Sequence, residues 1–188
     1  MGADQMSALH HSLIFAAAFL AVFCQSAFGS VRHLFGAQID LLPALMVYAA
    51  LNAGLLTVMS FALFAGLMFD SLSANPLGTT VLPLLIIGVL IQFRRDLILR
   101  ELVFAQAIIG LFASALAPVL NVLMLMSGGH EPLIGWGSIW QWMVMAFGGA
   151  MATPVVFALF GWFNRTFGYR PVIETSFRED REIRRGRN

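Results

Sequence analysis

The sequence predicts an all-α integral membrane protein with six transmembrane helices. Three observations carry that fold class. Of 188 residues, 59% are hydrophobic and only 11% charged, against roughly 25% charged in a typical soluble domain. The apolar residues fall into runs near the roughly 20 residues that a bilayer-crossing helix needs. The basic residues, all eleven of them arginine, collect in two places rather than spreading along the chain. A net charge of +1 excludes a strongly basic nucleic-acid binder.

From Gln5 to Val31 there is no Asp, Glu, Lys or Arg, and Ser12 to Phe28 forms the core of the first span. No basic segment precedes it, so it is read as a retained helix and not a cleaved signal. His10 and His11 at its start read as solvated. Cys24, the single cysteine, reads as a small buried hydrophobe with no metal spacing around it.

Asp40 opens the next segment, and Leu41 to Phe69 then runs 29 residues without a charge. A straight helix of that length would measure about 44 Å against a hydrocarbon core of about 30 Å. Asn52-Ala53-Gly54 is a reasonable breaker. The expectation is two spans, Leu42 to Leu51 extended by a turn, and Leu55 to Phe69. Thr79 to Phe93 makes the fourth span, Leu102 to Ser127 the fifth, with a kink at Pro118, and Ile139 to Phe163 the sixth, carrying Pro154. Residues 1–166 then form the membrane domain and 167–188 an arginine-rich cytoplasmic tail.

Arg94, Arg95 and Arg100 follow span four, and seven more arginines lie from Arg165 onward. Two spans separate these clusters, which puts them on one side. The positive-inside rule makes that side the cytoplasm, with both termini inside and Arg32 alone facing out. Trp136, Trp140 and Trp142 at one end of span six, and Trp162 at the other, fit an aromatic belt. Small residues four apart (Ala62 and Gly66, Gly110 and Ser114, Gly148 and Ala152) suit close helix approach in lipid.

One acid, Asp70, has membrane-length apolar sequence on both sides, within Gly66-Leu-Met-Phe-Asp70-Ser-Leu-Ser-Ala-Asn75-Pro76-Leu77-Gly78. Ionisable groups at such a place are costly and carry a role. At the C-terminal end of a helix an anion is disfavoured by a few tenths to about 1 kcal/mol, so a partner is required. The free N–H groups at Leu77 to Thr80 are one candidate, Arg32 a second and a cation on a partner protein a third. The expectation is a structural clasp for the turn between spans three and four. No catalytic motif is present: neither His-Glu-x-x-His nor Gly-x-Ser-x-Gly occurs, and no second ionisable group accompanies Asp70 within the spans. The expectation is a protein that is not an enzyme.

Asp40-Leu41-Leu42-Pro43, Gly66-Leu67, Asp70-Ser71-Leu72 and Leu77-Gly78, in that order, resemble the rod shape-determining protein MreD family. The last span, ending Pro154-Val-Val-Phe-Ala-Leu-Phe-Gly-Trp162 and followed by arginine, is also similar to that family's last helix. The chain departs in having Ile39 before Asp40, where the family often has proline. The resemblance implies a six-helix component of the bacterial inner membrane, similar in fold to the substrate-binding subunit of energy-coupling-factor transporters. It implies no cofactor. The implied partners are MreC, the MreB filament system, RodA with its partner transpeptidase, and membrane lipid. The fold similarity leaves a second expectation open, a small-molecule (vitamin) binding subunit of a transporter. That reading looks to the tryptophans and His130–Glu131 for a pocket.

Overall fold

The computed structural model describes residues 3–27, 39–73, 76–98, 102–129 and 135–166. Among them are six α-helices and one short 3₁₀ turn: α1 (Ala3–Ala27), α2 (Leu42–Asn52), α3 (Leu55–Leu72), α4 (Val81–Arg94), the turn Arg95–Leu97, α5 (Val103–Ser127) and α6 (Trp136–Thr166). Three of them, α3, α5 and α6, are long and apolar enough to cross a membrane. His11–Ser26 of α1, together with α2 and α4, are shorter apolar helices.

The 29-residue apolar run is broken where Asn52 was expected to break it. Ala53 and Gly54 are both extended, and α3 starts at Leu55. The Asn52 side chain folds back along the last turn and donates from Nδ2 to the carbonyl of Tyr48 at 3.0 Å. The extra turn expected for α2 is absent, because Ile39–Leu41 is not helical and Pro43 fixes the helix start. At 11 residues α2 is about 16 Å long, well short of the hydrocarbon core. Other boundaries shift by a few residues. Helix α1 is the largest case, beginning at Ala3 ahead of the expected Ser12, and α6 runs from Trp136 to Thr166, beyond the expected Ile139 to Phe163.

Burial explains how so short a helix is tolerated. Every residue from Leu42 to Leu51 is buried. The segment is apolar on all sides, which suits a helix surrounded by others, and α2 touches each of the remaining five. Its alanines let neighbours approach, while Tyr48 stacks on Phe160 (centroids 4.1 Å apart) and meets Phe157 edge-on at 5.0 Å. Each such aromatic pair contributes about 0.5–1.5 kcal/mol beyond burial.

Close approaches fix the directions. Met46 of α2 lies by Gly88 of α4, and the Gln92 side chain of α4 reaches the end of α2 at Ala50 and Ala53, so these helices run parallel. Ile39 lies by Gly148 and Tyr48 by Phe157, so α2 and α6 are also parallel. Helix α3 runs against α4 (Val58 near Gly88, Gly66 near Val81), and α5 against α6 (Gly110 near Thr153, Ser114 near Gly149). Arg94, Arg95 and Arg165 therefore share one end of the bundle.

Each outer helix buries one stripe at spacings of three and four. On α6 it is Ala146, Gly149, Thr153, Val156 and Phe160; on α5, Gln106, Gly110, Ala113, Ser114 and Ala117. The opposite faces expose large side chains, among them Phe104, Phe112, Leu123, Phe147, Met151 and Leu159. Small and polar residues inside with bulky apolar residues outside is the distribution that lipid favours. The tightest crossing pairs Gly110 and Ser114 with Gly149 and Thr153. A Cβ on Gly110 would meet Thr153, and one on Gly149 would meet Ser114. Gly148, next to that crossing, comes close to Ile39 just ahead of α2.

Candidate functional site

Gly66 and Asp70 are four residues apart and so occupy one face of α3; both are buried. That face meets the start of α4. A Cβ at Gly66 would stand 2.8 Å from the Val81 Cα and 2.9 Å from its N, so the two backbones touch and no side chain fits between them. One turn later the chain must reverse, and the carboxylate of Asp70 holds the reversal.

Asp70 is 1% exposed. Its Oδ2 accepts from the Gly78 N–H at 2.8 Å and from the Thr80 N–H at 3.2 Å. Its Oδ1 accepts from the Thr79 hydroxyl at 3.4 Å. The same hydroxyl contacts the Pro76 carbonyl at 2.8 Å, and the Thr79 N–H donates to that carbonyl at 3.3 Å, closing a tight turn. Gly78 sits at φ +95, a conformation that favours glycine. The turn thereby points successive N–H groups at one carboxylate. An anion at the C-terminal end of α3 is disfavoured, but the N-terminal end of α4 supplies the opposite partial charge and free donors. Hydrogen bonds to a charged group contribute about 1.5–3 kcal/mol each.

The partners of Asp70 are thus N–H groups and a hydroxyl within Gly78–Thr80, the stretch named from the sequence. Leu77 lies in the turn with its side chain exposed. Asn75, Arg32 and Arg100 lie outside the described residues, as do His130, Glu131 and residues 167–188. Arg94 is exposed at the end of α4, and Arg95 pairs loosely with Asp96 at 3.7 Å. The arginines stand at the end of α4 opposite to Asp70, so the motif and the basic positions form two separate regions.

A second buried acid, to which the sequence assigned no role, stands at the start of α2. Asp40 is 8% exposed, and its Oδ1 accepts from the Leu42 N–H at 2.9 Å. An acid two residues before a helix start, followed by proline, is a recognisable helix-start signal. Trp142 also departs from a simple belt role: its indole N–H donates to the Ala115 carbonyl of α5 at 2.8 Å. Among the described residues no group of three or more His, Cys, Asp or Glu could hold a metal ion.

Comparison of the chain with protein-family models, with curated proteins and with solved structures finds no match.

Proposed function

We propose that the chain is a non-enzymatic scaffold of the bacterial cell-elongation machinery, of the MreD type. It binds MreC and helps couple MreB filaments to RodA and its partner transpeptidase. In this reading it lies in the inner membrane and makes six passes, α2 and the residues just before it forming the second. Both termini and the arginine clusters face the cytoplasm. One observation carries the proposal: Gly66, Asp70 and Gly78, which bear the family resemblance, belong to one rigid unit, with Gly66 packed on Val81 and Asp70 bonded to Gly78. A shared motif whose residues hold a single turn is better explained by a common architecture than by chance spacing. The arginine distribution and the lack of a catalytic motif in the sequence agree with a scaffold.

The test is co-purification of the full chain from membranes with identification of its partners. Recovery of MreC in defined stoichiometry is the expected result. Absence of MreC together with tight binding of a vitamin by the purified protein would replace this reading with the transporter subunit.

A further inference from the structure

Helix α4 has two apolar faces with different neighbours. Leu84, Ile87, Gly88 and Ile91 are buried in the bundle. On the opposite side Leu82, Ile86, Leu90 and Phe93, spaced by three and four, form one exposed ridge. The ridge rises about 16 Å from Leu82 to Phe93, close to the roughly 15 Å hydrocarbon depth of one leaflet. Phe93 is its most exposed member at 76%. Arg94 is exposed and stands four residues after Leu90, so it lies on the same side of the helix. Ridge and positive charge therefore meet at one point.

The next arginine is held from inside the bundle. The Gln92 side chain reaches the carbonyl end of α2. With its amide nitrogen on the Ala50 carbonyl, its oxygen accepts from Arg95 Nη1 at 3.0 Å. Asp96 adds only a loose contact, 3.7 Å from Arg95 Nε, and the Arg95 side chain stays 42% exposed. One part of the guanidinium is thus tied to the bundle and another is open. A planar fork of N–H groups fixed in this way suits a phosphate.

We propose that this end of α4 binds an anionic phospholipid, its phosphate at Arg94 and Arg95 and an acyl chain along Leu82–Phe93. A free anion would use the arginines and leave the ridge idle. An acidic protein segment outside the bilayer would also miss the ridge. A charged head with an apolar tail of one leaflet's length matches both. The carbonyl end of α4 disfavours an anion by at most about fivefold. Two guanidinium groups outweigh that, each worth about fivefold near a membrane surface. Helix α6 brings a single described arginine, Arg165, to the same end of the bundle, which makes it the weaker position. The proposal requires the bundle to lie in a bilayer but involves no protein partner, so it stands or falls apart from the MreC reading.

The experiment is thermal unfolding of the purified full chain in detergent, titrated with phosphatidylglycerol or with phosphatidylcholine of the same acyl chains. Saturable stabilisation by phosphatidylglycerol is expected, about 5–10 °C at a hundredfold excess over Kd, with a much smaller shift from phosphatidylcholine. Arg94→Gln raises the half-saturating phosphatidylglycerol concentration about fivefold. Phe93→Ser raises it as well, and Arg165→Gln leaves it within twofold. Arg94 and Phe93 are exposed, so both variants keep nearly the wild-type midpoint before lipid is added. Glycerol phosphate, a head without a tail, gives no shift. Equal stabilisation by the two lipids overturns the proposal. So does an undiminished response in Arg94→Gln and Phe93→Ser, equal weakening by Arg165→Gln, or a shift from glycerol phosphate that matches phosphatidylglycerol.

Discussion

Asp40 and Asp70 are both buried acids placed just ahead of a short helix, and the chain treats them differently. Asp70 belongs to α3 but bonds to the start of α4, so its carboxylate joins two helices across a reversal. Asp40 bonds to an N–H two residues along the same strand of chain, a purely local cap. The first acid has both oxygens engaged. The second bonds the start of its own helix and stands beside the Gln25 amide. The same residue type therefore joins two helices at one corner and caps a single helix at the other. A neighbouring glycine with positive φ turns several donors toward Asp70.

The largest expected effect lies at the contact on which the Asp70 corner is built. Gly66→Leu would force side-chain atoms into the backbone of Val81. Overpacking of this kind costs about 1–3 kcal/mol where side chains can yield and more where backbone must move. We expect loss of folded protein from the membrane fraction, read by expression level and size-exclusion profile. A wild-type profile would mean that α3 and α4 can separate at no cost.

Next comes the pair Asp70→Asn and Asp40→Asn, which tests the contrast itself. Asp70→Asn keeps one acceptor oxygen but turns an NH₂ group toward groups that are themselves donors. Its expected cost is about 2–4 kcal/mol, since charge-assisted bonds are lost and a donor faces donors. Asp40→Asn keeps an oxygen able to accept from Leu42, because asparagine caps helices about as well as aspartate. Its expected cost is under about 1 kcal/mol. Thermal unfolding in detergent reads both. Similar losses would show that the engagement of Asp70 across two helices adds nothing to a local cap.

Much of the architecture could be read in the sequence because lipid imposes simple rules. Apolar runs, the Asn52–Gly54 break and the turn leading to Gly78 marked the helices within a few residues, and the N–H groups near Leu77–Thr80 were identifiable as partners for Asp70. Depth was harder to read. A hydrophobic stretch looks the same whether lipid or other helices surround it, so the central place of α2 was hidden until its neighbours were known. The resemblance motif carried Asp40 without assigning it a task. The small residues were legible but their partners were not: Gly148 and Gly149 are adjacent, and only packing brings Gly148 to Ile39 and Gly149 to Ser114 of α5.

The smallest effect concerns Trp142, where a belt residue and a bonded residue make different predictions. Pro118 inside α5 lacks an N–H, which takes from the Ser114 carbonyl its usual donor one turn on, next to Ala115. The Trp142 indole donates to the Ala115 carbonyl in that turn. Hydrogen bonds between membrane helices average about 0.6 kcal/mol and reach about 1.7. Trp142→Phe should therefore lower the unfolding midpoint by roughly 1–5 °C. Trp136, at the very start of α6 and 87% exposed, is the control. Trp136→Phe leaves the midpoint unchanged if its ring only meets solvent or the lipid interface. Equal shifts in the two variants would return Trp142 to the aromatic belt and leave the α5–α6 pairing to the glycine contacts alone.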